Sequence, residues 1–253
     1  MHILILGGTT EARLLGERLV AGGHRLTMSL AGRTHAPLPM PGQVRIGGFG
    51  GPEGLAQYLS AERVDLLVDA THPYAAAMSE HAVQAAVRAG VALIALRRAA
   101  WEPVDGDRWT EVAGAQEAVR ALGPAARRVF LALGRQEIAP FRDAPQHFYL
   151  VRSVEPVDPP LPAADVIYVQ ARGPFSQEND LALLTTHRVD AIVSKNSGGA
   201  AAYGKIAAAR QLGIEVIMLR RPALPRVPSV ATVDEALALV AHAGAFRGAE
   251  TKP

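Results

Sequence analysis

Several polar segments directly follow apolar, strand-like runs, and the first of them has the composition of a phosphate-binding turn. Between the apolar run at 2–6 and a helix-like stretch lie small and hydroxylated residues: Gly7, Gly8, Thr9 and Thr10. In a doubly wound parallel sheet this turn lies at a helix N-terminus, where backbone N–H groups can bind a dinucleotide phosphate. We therefore predict that these residues bind a cofactor. Their spacing differs from G-x-G-x-x-G, so an ordinary strand-to-helix turn with Thr10 as N-cap is the alternative.

The turn after the second predicted strand indicates which dinucleotide would bind. Sites selective for NAD usually place an acidic residue there, because a carboxylate accepts hydrogen bonds from the ribose 2′-hydroxyl. This chain instead has the sequence SLAGRT at 29–34, with Arg33 and no acid. A guanidinium can bind a 2′-phosphate through two parallel hydrogen bonds. We predict that Arg33 binds this phosphate and that the cofactor is NADPH; an ordinary solvated arginine is the alternative.

The segment DATHPYA, which begins at Asp69, again joins an apolar run to a helix-like stretch. Pro73 suits the first turn of a helix, and Thr71 or His72 could cap that helix. His72 and Tyr74 would then lie at the carboxyl edge of the sheet, where either could donate a proton or bind a carboxylate. We predict catalytic roles for these two residues and a cofactor contact for Thr71. The alternative is that Asp69 and His72 only satisfy backbone groups of the turn.

The segment SKNSGG, which begins at Ser194, follows the apolar run AIV and precedes another helix-like stretch. A lysine, an amide, two hydroxyls and two glycines suit an anionic group at a helix N-terminus. The spacing is not that of a P-loop. We predict that Lys195 acts in catalysis or binds a substrate carboxylate, with a cofactor phosphate as its other possible partner, and that Asn196 and Ser197 bind the cofactor. A capped turn with an exposed lysine is the alternative.

Two arginines, Arg135 and Arg172, also follow apolar runs in the second half of the chain. Together with Lys195 they would suit a substrate that carries several carboxylates. We expect no protein-bound metal, because the chain has no cysteine and its 8 histidines are scattered without an H-E-x-x-H motif.

Short apolar runs alternate with amphipathic stretches along the whole chain. Strands are predicted at 2–6, 25–30, 43–46, 65–69, 92–96, 128–133, 148–152, 166–170, 191–194 and 215–219. Helices are predicted at 10–21, 52–61, 73–89, 114–122, 176–187, 199–212 and 233–243. This alternation is typical of right-handed βαβ units that build parallel sheets.

We therefore predict an α/β fold with two Rossmann-like domains, in which helices flank parallel sheets and an active-site cleft lies between the domains. A segment at 97–108 that is rich in charges and contains proline and glycine marks the boundary. We place an NADP-binding domain at 1–98 and a second α/β domain with substrate-binding loops at 99–245. The final helix at 233–243 could pack on either domain.

The composition excludes several classes of protein. Of the 253 residues, 49% are hydrophobic and 20% are charged, which excludes general disorder. The formal net charge is only +2 and the basic residues are interspersed with acids, unlike those of a nucleic-acid-binding protein. The first residues lack the features of a signal peptide, and no apolar run approaches the roughly 20 residues of a membrane span. We expect a cytoplasmic protein without nucleic-acid or membrane partners.

The ordered set of motifs resembles that of the precorrin-6A reductases of cobalamin biosynthesis. These motifs are GGTTEA, DATHPYA, LALGRQE, ARGPFS and SKNSGG, and the resemblance covers nearly the whole chain. It implies two Rossmann-like domains around a cleft. It also implies hydride transfer from NADPH to one double bond of the precorrin-6A macrocycle, followed by protonation, to give precorrin-6B.

The resemblance implies a role for each predicted site. The turn at Gly8, Thr9 and Thr10 would lie at the cofactor pyrophosphate, and Arg33 would lie at the 2′-phosphate. The DATHPYA segment would border the nicotinamide and the substrate, and the SKNSGG segment would face them from the second domain. Because the macrocycle carries several carboxylates, it would be attracted and oriented by Arg135, Arg172 and Lys195.

Two other functions are open on the sequence alone. A cobalt-precorrin-6A reductase of the anaerobic pathway prefers NADH, and Arg33 with the missing acid disfavours it. A non-catalytic NADP-sensing module would need the first turn but not the polar loops of the second domain. We expect the protein to be a monomer or a weak homodimer.

Overall fold

The structure is a computed structural model that describes residues 1–32 and 38–250. Its strands are β1 (His2–Leu6), β2 (Arg25–Leu30), β3 (Gln43–Ile46), β4 (Leu66–Asp69), β5 (Ala92–Leu96), β6 (Trp109–Val112), β7 (Arg128–Ala132), β8 (Phe148–Ser153), β9 (Val166–Gln170), β10 (Ala191–Lys195), β11 (Glu215–Leu219) and β12 (Ser229–Val230). Its α-helices are α1 (Thr10–Ala21), α2 (Pro52–Ala61), α3 (Ala76–Ala89), α4 (Ala115–Leu122), α5 (Gln177–Thr186), α6 (Gly204–Leu212) and α7 (Val233–Glu250). Short 3₁₀ helices at Arg135–Glu137 and Ala139–Asp143 lie between β7 and β8.

The chain divides into two compact units, and each contains one parallel sheet. The first unit comprises Met1–Ala99 and Pro222–Pro253, and the second comprises Ala100–Arg221. Within the described ranges each sheet has six strands, ordered β12-β5-β4-β1-β2-β3 in the first unit and β6-β11-β10-β7-β8-β9 in the second. The neighbouring strands are parallel. The predicted α/β fold with parallel sheets and flanking helices is confirmed, whereas the cleft between domains stays a prediction.

The C-terminal segment of the chain belongs to the first unit. Beside β5, the N–H of Ala95 donates to the carbonyl of Pro228 at 2.9 Å, and β12 extends the sheet at this edge. Helix α7 packs on α1, with Ala236 and Val240 in the core that α1 shares. The sequence analysis placed 99–245 in the second domain and left the final helix free to pack on either one. The structure divides the chain differently, because residues from Pro222 onward return to the first sheet.

Strand β1 shows why the apolar runs lack alternation. Ile3 and Ile5 pack in the core that contains α1 and α7, whereas Leu4 and Leu6 pack in the core that contains α2 and α3. Successive side chains of a strand point to opposite faces of the sheet. Because helices cover both faces, both sets of side chains are buried and the whole strand is apolar.

The structure corrects several predicted elements. The edge strands β6 and β12 are absent from the sequence prediction, because their residues are mostly exposed or half-buried and so lack a continuous apolar run. Helix α3 begins at Ala76 rather than 73, and α6 begins at Gly204 rather than 199. Pro73 lies in a turn closed by a hydrogen bond from the N–H of Ala75 to the carbonyl of His72 at 2.8 Å. None of the helices in the described ranges combines the length and the apolar character required to span a bilayer.

Candidate active site

The strand order of the first sheet reverses next to β1, where two of the predicted segments meet. Strands β2 and β3 lie on one side of β1, and β4 and β5 lie on the other. The turns after β1 and β4 are therefore neighbours at the carboxyl edge of the sheet, the position at which doubly wound folds bind ligands. A hydrogen bond links them, because Thr9 Oγ1 donates to the carbonyl of Ala70 at 2.9 Å.

The turn between β1 and α1 fits a phosphate group. Gly8 has φ +109°, a backbone conformation that side chains rarely adopt, and a Cβ atom at this position would meet no heavy atom within 4 Å. Open space thus lies directly beside the backbone. The first N–H groups of a helix lack intrahelical acceptors and attract anions. These features agree with the predicted cofactor contact, whose individual residues stay predictions.

Thr9, not Thr10, is the N-cap of α1. Thr9 Oγ1 accepts a hydrogen bond from the N–H of Ala12 at 3.1 Å, and its single hydroxyl proton is donated to Ala70. The cap proposed at Thr10 is wrong by one residue, since Thr10 is the first residue of the helix. The Thr9 hydroxyl therefore positions the turn instead of donating to a phosphate, whereas the exposed Thr10 can contact a ligand.

We expect Thr9→Val to lower the free energy of unfolding by about 1–2 kcal/mol, because valine provides neither the cap nor the link between the two turns. Urea-induced unfolding would measure the loss. Thr9→Ser is the matched control, since serine keeps a hydroxyl in the same place and should stay within about 0.5 kcal/mol of the wild type. Equal losses in the two variants would contradict a stabilising role for the hydroxyl.

Asp69 organises the turn between β4 and α3. Its buried carboxylate accepts hydrogen bonds at Oδ1 from the N–H of Thr71 at 3.2 Å and from the Thr71 hydroxyl at 2.7 Å. Its Oδ2 accepts a hydrogen bond from the hydroxyl of Ser79 at 2.5 Å, which joins the turn to α3. Asp69 therefore does satisfy polar groups of this turn, as the alternative interpretation proposed. The hydroxyl proton of Thr71 is already used by Asp69.

His72 and Tyr74 lie together within this turn. The N–H of Tyr74 donates to His72 Nδ1 at 3.3 Å, and the two ring centroids are 5.6 Å apart. Because Nδ1 accepts a hydrogen bond, we assign the proton of the neutral imidazole to Nε2. His72 thus also satisfies a backbone group, as the alternative held, while the catalytic roles of His72 and Tyr74 stay predictions.

Two arginines at the end of β5 complete this edge, and the sequence analysis missed both. Arg98 Nη1 donates to Glu11 Oε2 at 2.6 Å. Arg97 Nη1 donates to the carbonyl of Pro225 at 2.9 Å, and Arg97 Nη2 lies 4.0 Å from Asp69 Oδ2. Both arginines line a pocket with about 330 Å³ of empty space, part of it open to solvent, together with residues of the two turns that include Thr9, Thr71 and His72. The sequence signal that could have identified them is their position directly after the predicted strand at 92–96. The sequence analysis instead assigned both arginines to a boundary loop at 97–108.

In the second unit the strand order reverses between β7 and β10, and the turns after these strands carry opposite charges. Lys195 Nζ donates to Glu137 Oε1 at 2.7 Å, and the lysine side chain is only 16% exposed. A Cβ atom at Gly134 would lie 2.5 Å from Glu137 Oε2, so the glycine leaves space for this ion pair. The alternative of an exposed lysine is wrong, and Glu137 is a residue that the sequence analysis did not identify.

Asn196 holds the β10 turn against the start of the second unit. Its Oδ1 accepts from the N–H of Trp101 and its Nδ2 donates to the carbonyl of Trp101, each at 2.8 Å. Arg221 Nε donates to the carbonyl of Asn196 at 2.8 Å, and the N–H of Ser197 donates to the carbonyl of Lys195 at 2.9 Å. These contacts give Asn196 a positioning role within its unit. The cofactor contacts of Asn196 and Ser197 stay predictions.

The remaining predicted cations lie further apart or outside the described residues. Arg135 and Arg172 are exposed after β7 and β9, which are separated by β8. Two strand spacings correspond to roughly 10 Å, so only an extended ligand could reach both arginines. Arg33 lies outside the described residues, although β2, which precedes it, is the neighbour of β1. A search of the described ranges finds no group of three or more histidine, aspartate or glutamate residues placed to hold a metal ion.

A buried lysine, Lys205, lies in the first turn of α6, the helix that follows the SKNSGG segment. Lys205 Nζ donates to the carbonyl of Ala202 at 2.7 Å and lies 4.8 Å from the centroid of the Trp101 ring. Burial lowers the pKa of Lys205 to about 7, with a further lowering by the charge of Arg152 and an opposing effect of Asp180. Arg152 and Asp180 form a buried ion pair with each other.

We expect this lysine to make stability depend on pH. In the unfolded chain the pKa of Lys205 is near 10.5, so between about pH 7 and this value the unfolded state binds more protons and stability rises with pH. The stability difference between wild type and Lys205→Met should therefore change by at most about 1.4 kcal/mol per pH unit, in favour of the wild type as pH rises. Urea unfolding of both proteins across this window would measure it. A difference that does not vary with pH would contradict the lowered pKa.

The chain matches the family model described as precorrin-6x reductase CbiJ/CobK over residues 2–241. It belongs to this family. The match spans almost all of the described residues and confirms the family that the ordered motifs indicated. Membership makes the chain an oxidoreductase of cobalamin biosynthesis.

Relatives of the family agree in sequence and in fold. The precorrin-6A reductase of a Sinorhizobium species is 57% identical over 242 residues, which are 95% of this chain and 93% of the relative. A solved structure described as CobK precorrin-6A reductase is 48% identical, covers 96% of this chain and 97% of its own, and superimposes with a TM-score of 0.93. The cobalt-precorrin-6A reductase of Salmonella typhimurium is 30% identical over 243 residues, 87% of either chain.

Proposed function

We propose that this member of the precorrin-6x reductase family reduces one double bond of precorrin-6A to give precorrin-6B, with NADPH as the reductant. The observation that carries the proposal is the difference in identity between relatives. A precorrin-6A reductase is 57% identical to this chain, whereas a cobalt-precorrin-6A reductase is 30% identical. This difference favours the metal-free substrate over its cobalt complex.

The edge of the first sheet supports the choice of a dinucleotide. The backbone at Gly8 and the N-terminus of α1 would hold the pyrophosphate, with Thr10 as a further donor. Gly7 lets this turn pack on β2, since a Cβ atom there would lie 3.0 Å from Met28 Cε. Arg33 would bind the 2′-phosphate, and Thr71, Asn196 and Ser197 are proposed as further cofactor contacts. When bound, NADPH supplies a hydride to the ring.

A proton from a side chain or from water would complete the reduction. His72 can hold a proton at Nε2, because Nδ1 accepts the N–H of Tyr74. The Tyr74 hydroxyl and the Lys195 ammonium are the other candidates among the side chains, and water is the remaining one. Each would act as a general acid beside the carbon that does not receive the hydride.

The carboxylates of the macrocycle need cationic partners. In the second unit Arg135 and Arg172 follow strands β7 and β9, and Lys195 ends β10, so all three lie at the carboxyl edge of the sheet. We propose that these residues bind substrate carboxylates and orient the ring. The pairing of Lys195 with Glu137 reduces the charge that the lysine presents.

The test is a turnover assay with purified protein and metal-free precorrin-6A. The loss of absorbance of the reduced nicotinamide and the gain of two hydrogens in the product mass would be followed, with NADH and cobalt-precorrin-6A in parallel. We expect oxidation that requires the metal-free substrate and is faster with NADPH. Turnover of the cobalt complex alone would assign the chain to the anaerobic pathway. Tight NADPH binding without turnover of either substrate would favour an NADP-sensing module.

We further propose that the enzyme acts in the cytoplasm as a monomer or a weak homodimer. Light scattering coupled to size-exclusion chromatography, over a range of protein concentrations, would test the oligomeric state. A dimer that persists at the lowest concentration would contradict the proposal.

A further inference from the structure

One edge of the Arg97 guanidinium has no hydrogen-bond partner among residues 1–32 and 38–250. The Nη1 group donates to the carbonyl of Pro225 at 2.9 Å, and the backbone N–H donates to the carbonyl of Val230 at 2.8 Å. The Nε and Nη2 atoms are buried, and no residue of the described chain accepts a hydrogen bond from either. Buried polar groups are nearly always hydrogen-bonded, so these two donors need an acceptor other than the described residues.

The two unpartnered nitrogens form the part of a guanidinium that recognises oxyanions. The N–H of Nε and one N–H of Nη2 are parallel, and their spacing matches two oxygens of a carboxylate or phosphate. The nitrogen outside this fork, Nη1, is the one that the chain holds. Asp69 Oδ2 lies 4.0 Å from Nη2, too far for a hydrogen bond, and already accepts the hydroxyl of Ser79. Asp69 therefore balances the charge of Arg97 without filling the fork.

The surroundings of the fork are suited to an anionic ligand. Arg97 lines the same pocket as Thr9 and His72, at the edge where the turns after β1 and β4 meet. The second arginine of the pocket, Arg98, is paired with Glu11 at 2.6 Å. Both acidic side chains of the pocket, Asp69 and Glu11, thus already face an arginine, and the nearby N-terminus of α1 would favour the negative charge of an oxyanion.

We propose that the Nε and Nη2 edge of Arg97 is an oxyanion-binding site, which takes either a carboxylate of the tetrapyrrole or a phosphate of the cofactor. The identity of the ligand rests on the proposed function. The binding of an oxyanion does not, because it is argued from the unpartnered fork and from the place of Arg97 in the lining of the pocket. Arg97 thereby becomes a binding residue at the carboxyl end of β5.

The first test needs no turnover. Wild type, Arg97→Lys and Arg97→Gln would be titrated with inorganic pyrophosphate and with citrate while Tm is measured. A ligand that binds only the native state raises Tm. We expect the wild type to be stabilised and both variants to lose most of the shift, because lysine keeps the charge but cannot form the fork. Equal shifts, or no shift, in wild type and Arg97→Gln would overturn the proposal even if the chain is not a precorrin-6A reductase.

The matched control is Arg88→Lys, an exposed arginine in the last turn of α3 that pairs with Glu53 at 3.0 Å. This control should respond to both probes as the wild type does. The Tm of each protein without ligand would show whether Arg97→Gln folds. If this variant does not fold, the comparison between wild type and Arg97→Lys tests the proposal.

The source of the oxyanion would then be distinguished with the ligands of the reaction. A loss of about tenfold or more in NADPH affinity, with the KM for precorrin-6A unchanged, would assign the fork to a cofactor phosphate. A rise of similar size in the KM for precorrin-6A, with unchanged NADPH affinity, would assign it to a substrate carboxylate. Values within about twofold of the wild type for both ligands would overturn the proposal.

Discussion

Lys195→Ala is expected to lower kcat/KM for precorrin-6A by about 100-fold while the protein stays folded. The substitution removes a cation from the turn after β10 and leaves the carboxylate of Glu137 without the ammonium that now lies 2.7 Å away. A substrate with several carboxylates would lose an attractive partner and meet an uncompensated negative charge. Steady-state kinetics would measure the effect, and circular dichroism with Tm would verify the fold.

A double-mutant cycle would separate these two causes. If the repulsion from Glu137 dominates, Glu137→Gln in the Lys195→Ala background should restore a large part of kcat/KM. If Lys195 itself contacts the substrate, the double variant should be as slow as Lys195→Ala. If kcat/KM of Lys195→Ala stays within about twofold of the wild-type value, Lys195 is not part of the substrate site and is only a structural partner of Glu137.

Arg33→Ala should weaken NADPH binding by about 100-fold and NADH binding by less than about threefold, because only NADPH carries the 2′-phosphate that a guanidinium can bind bidentately. Fluorescence titration with each cofactor would provide the dissociation constants. Arg18→Ala is the control, since this exposed arginine lies in the last turn of α1 and pairs with Asp234. Similar losses for both cofactors would exclude the 2′-phosphate as the partner of Arg33.

Many of the elements that carry the candidate site could be predicted from the sequence. The bounds of β1 and α1 agree with the predicted 2–6 and 10–21, because a five-residue apolar run, a glycine turn and an amphipathic stretch succeed one another without ambiguity. Strand β12 is two residues long and lies in a proline-containing stretch, so it has no periodic signal. Its pairing with β5 and the packing of α7 on α1 show that the chain returns to the first unit.

The sequence also located the turns that could bind ligands, but not the tasks of the side chains within them. Thr9 and Thr10 are neighbours with the same functional group. The hydroxyl of Thr9 is used by Ala70, which lies 61 residues further along the chain, so its role depends on which strands are adjacent. In the same way Lys195 is paired with Glu137, 58 residues away, because β10 and β7 are neighbours.

Local sequence thus determined the family, the fold class and the turns at which chemistry can occur, since apolar periodicity and motif order are properties of contiguous residues. The tertiary structure decided which donors and acceptors of those turns are already used. Asp69 accepts from Thr71 and Ser79, whereas two nitrogens of Arg97 keep no partner in the described chain. Hydrogen bonds between residues far apart in sequence depend on strand order and side-chain packing, so the oxyanion fork of Arg97 became visible only in three dimensions.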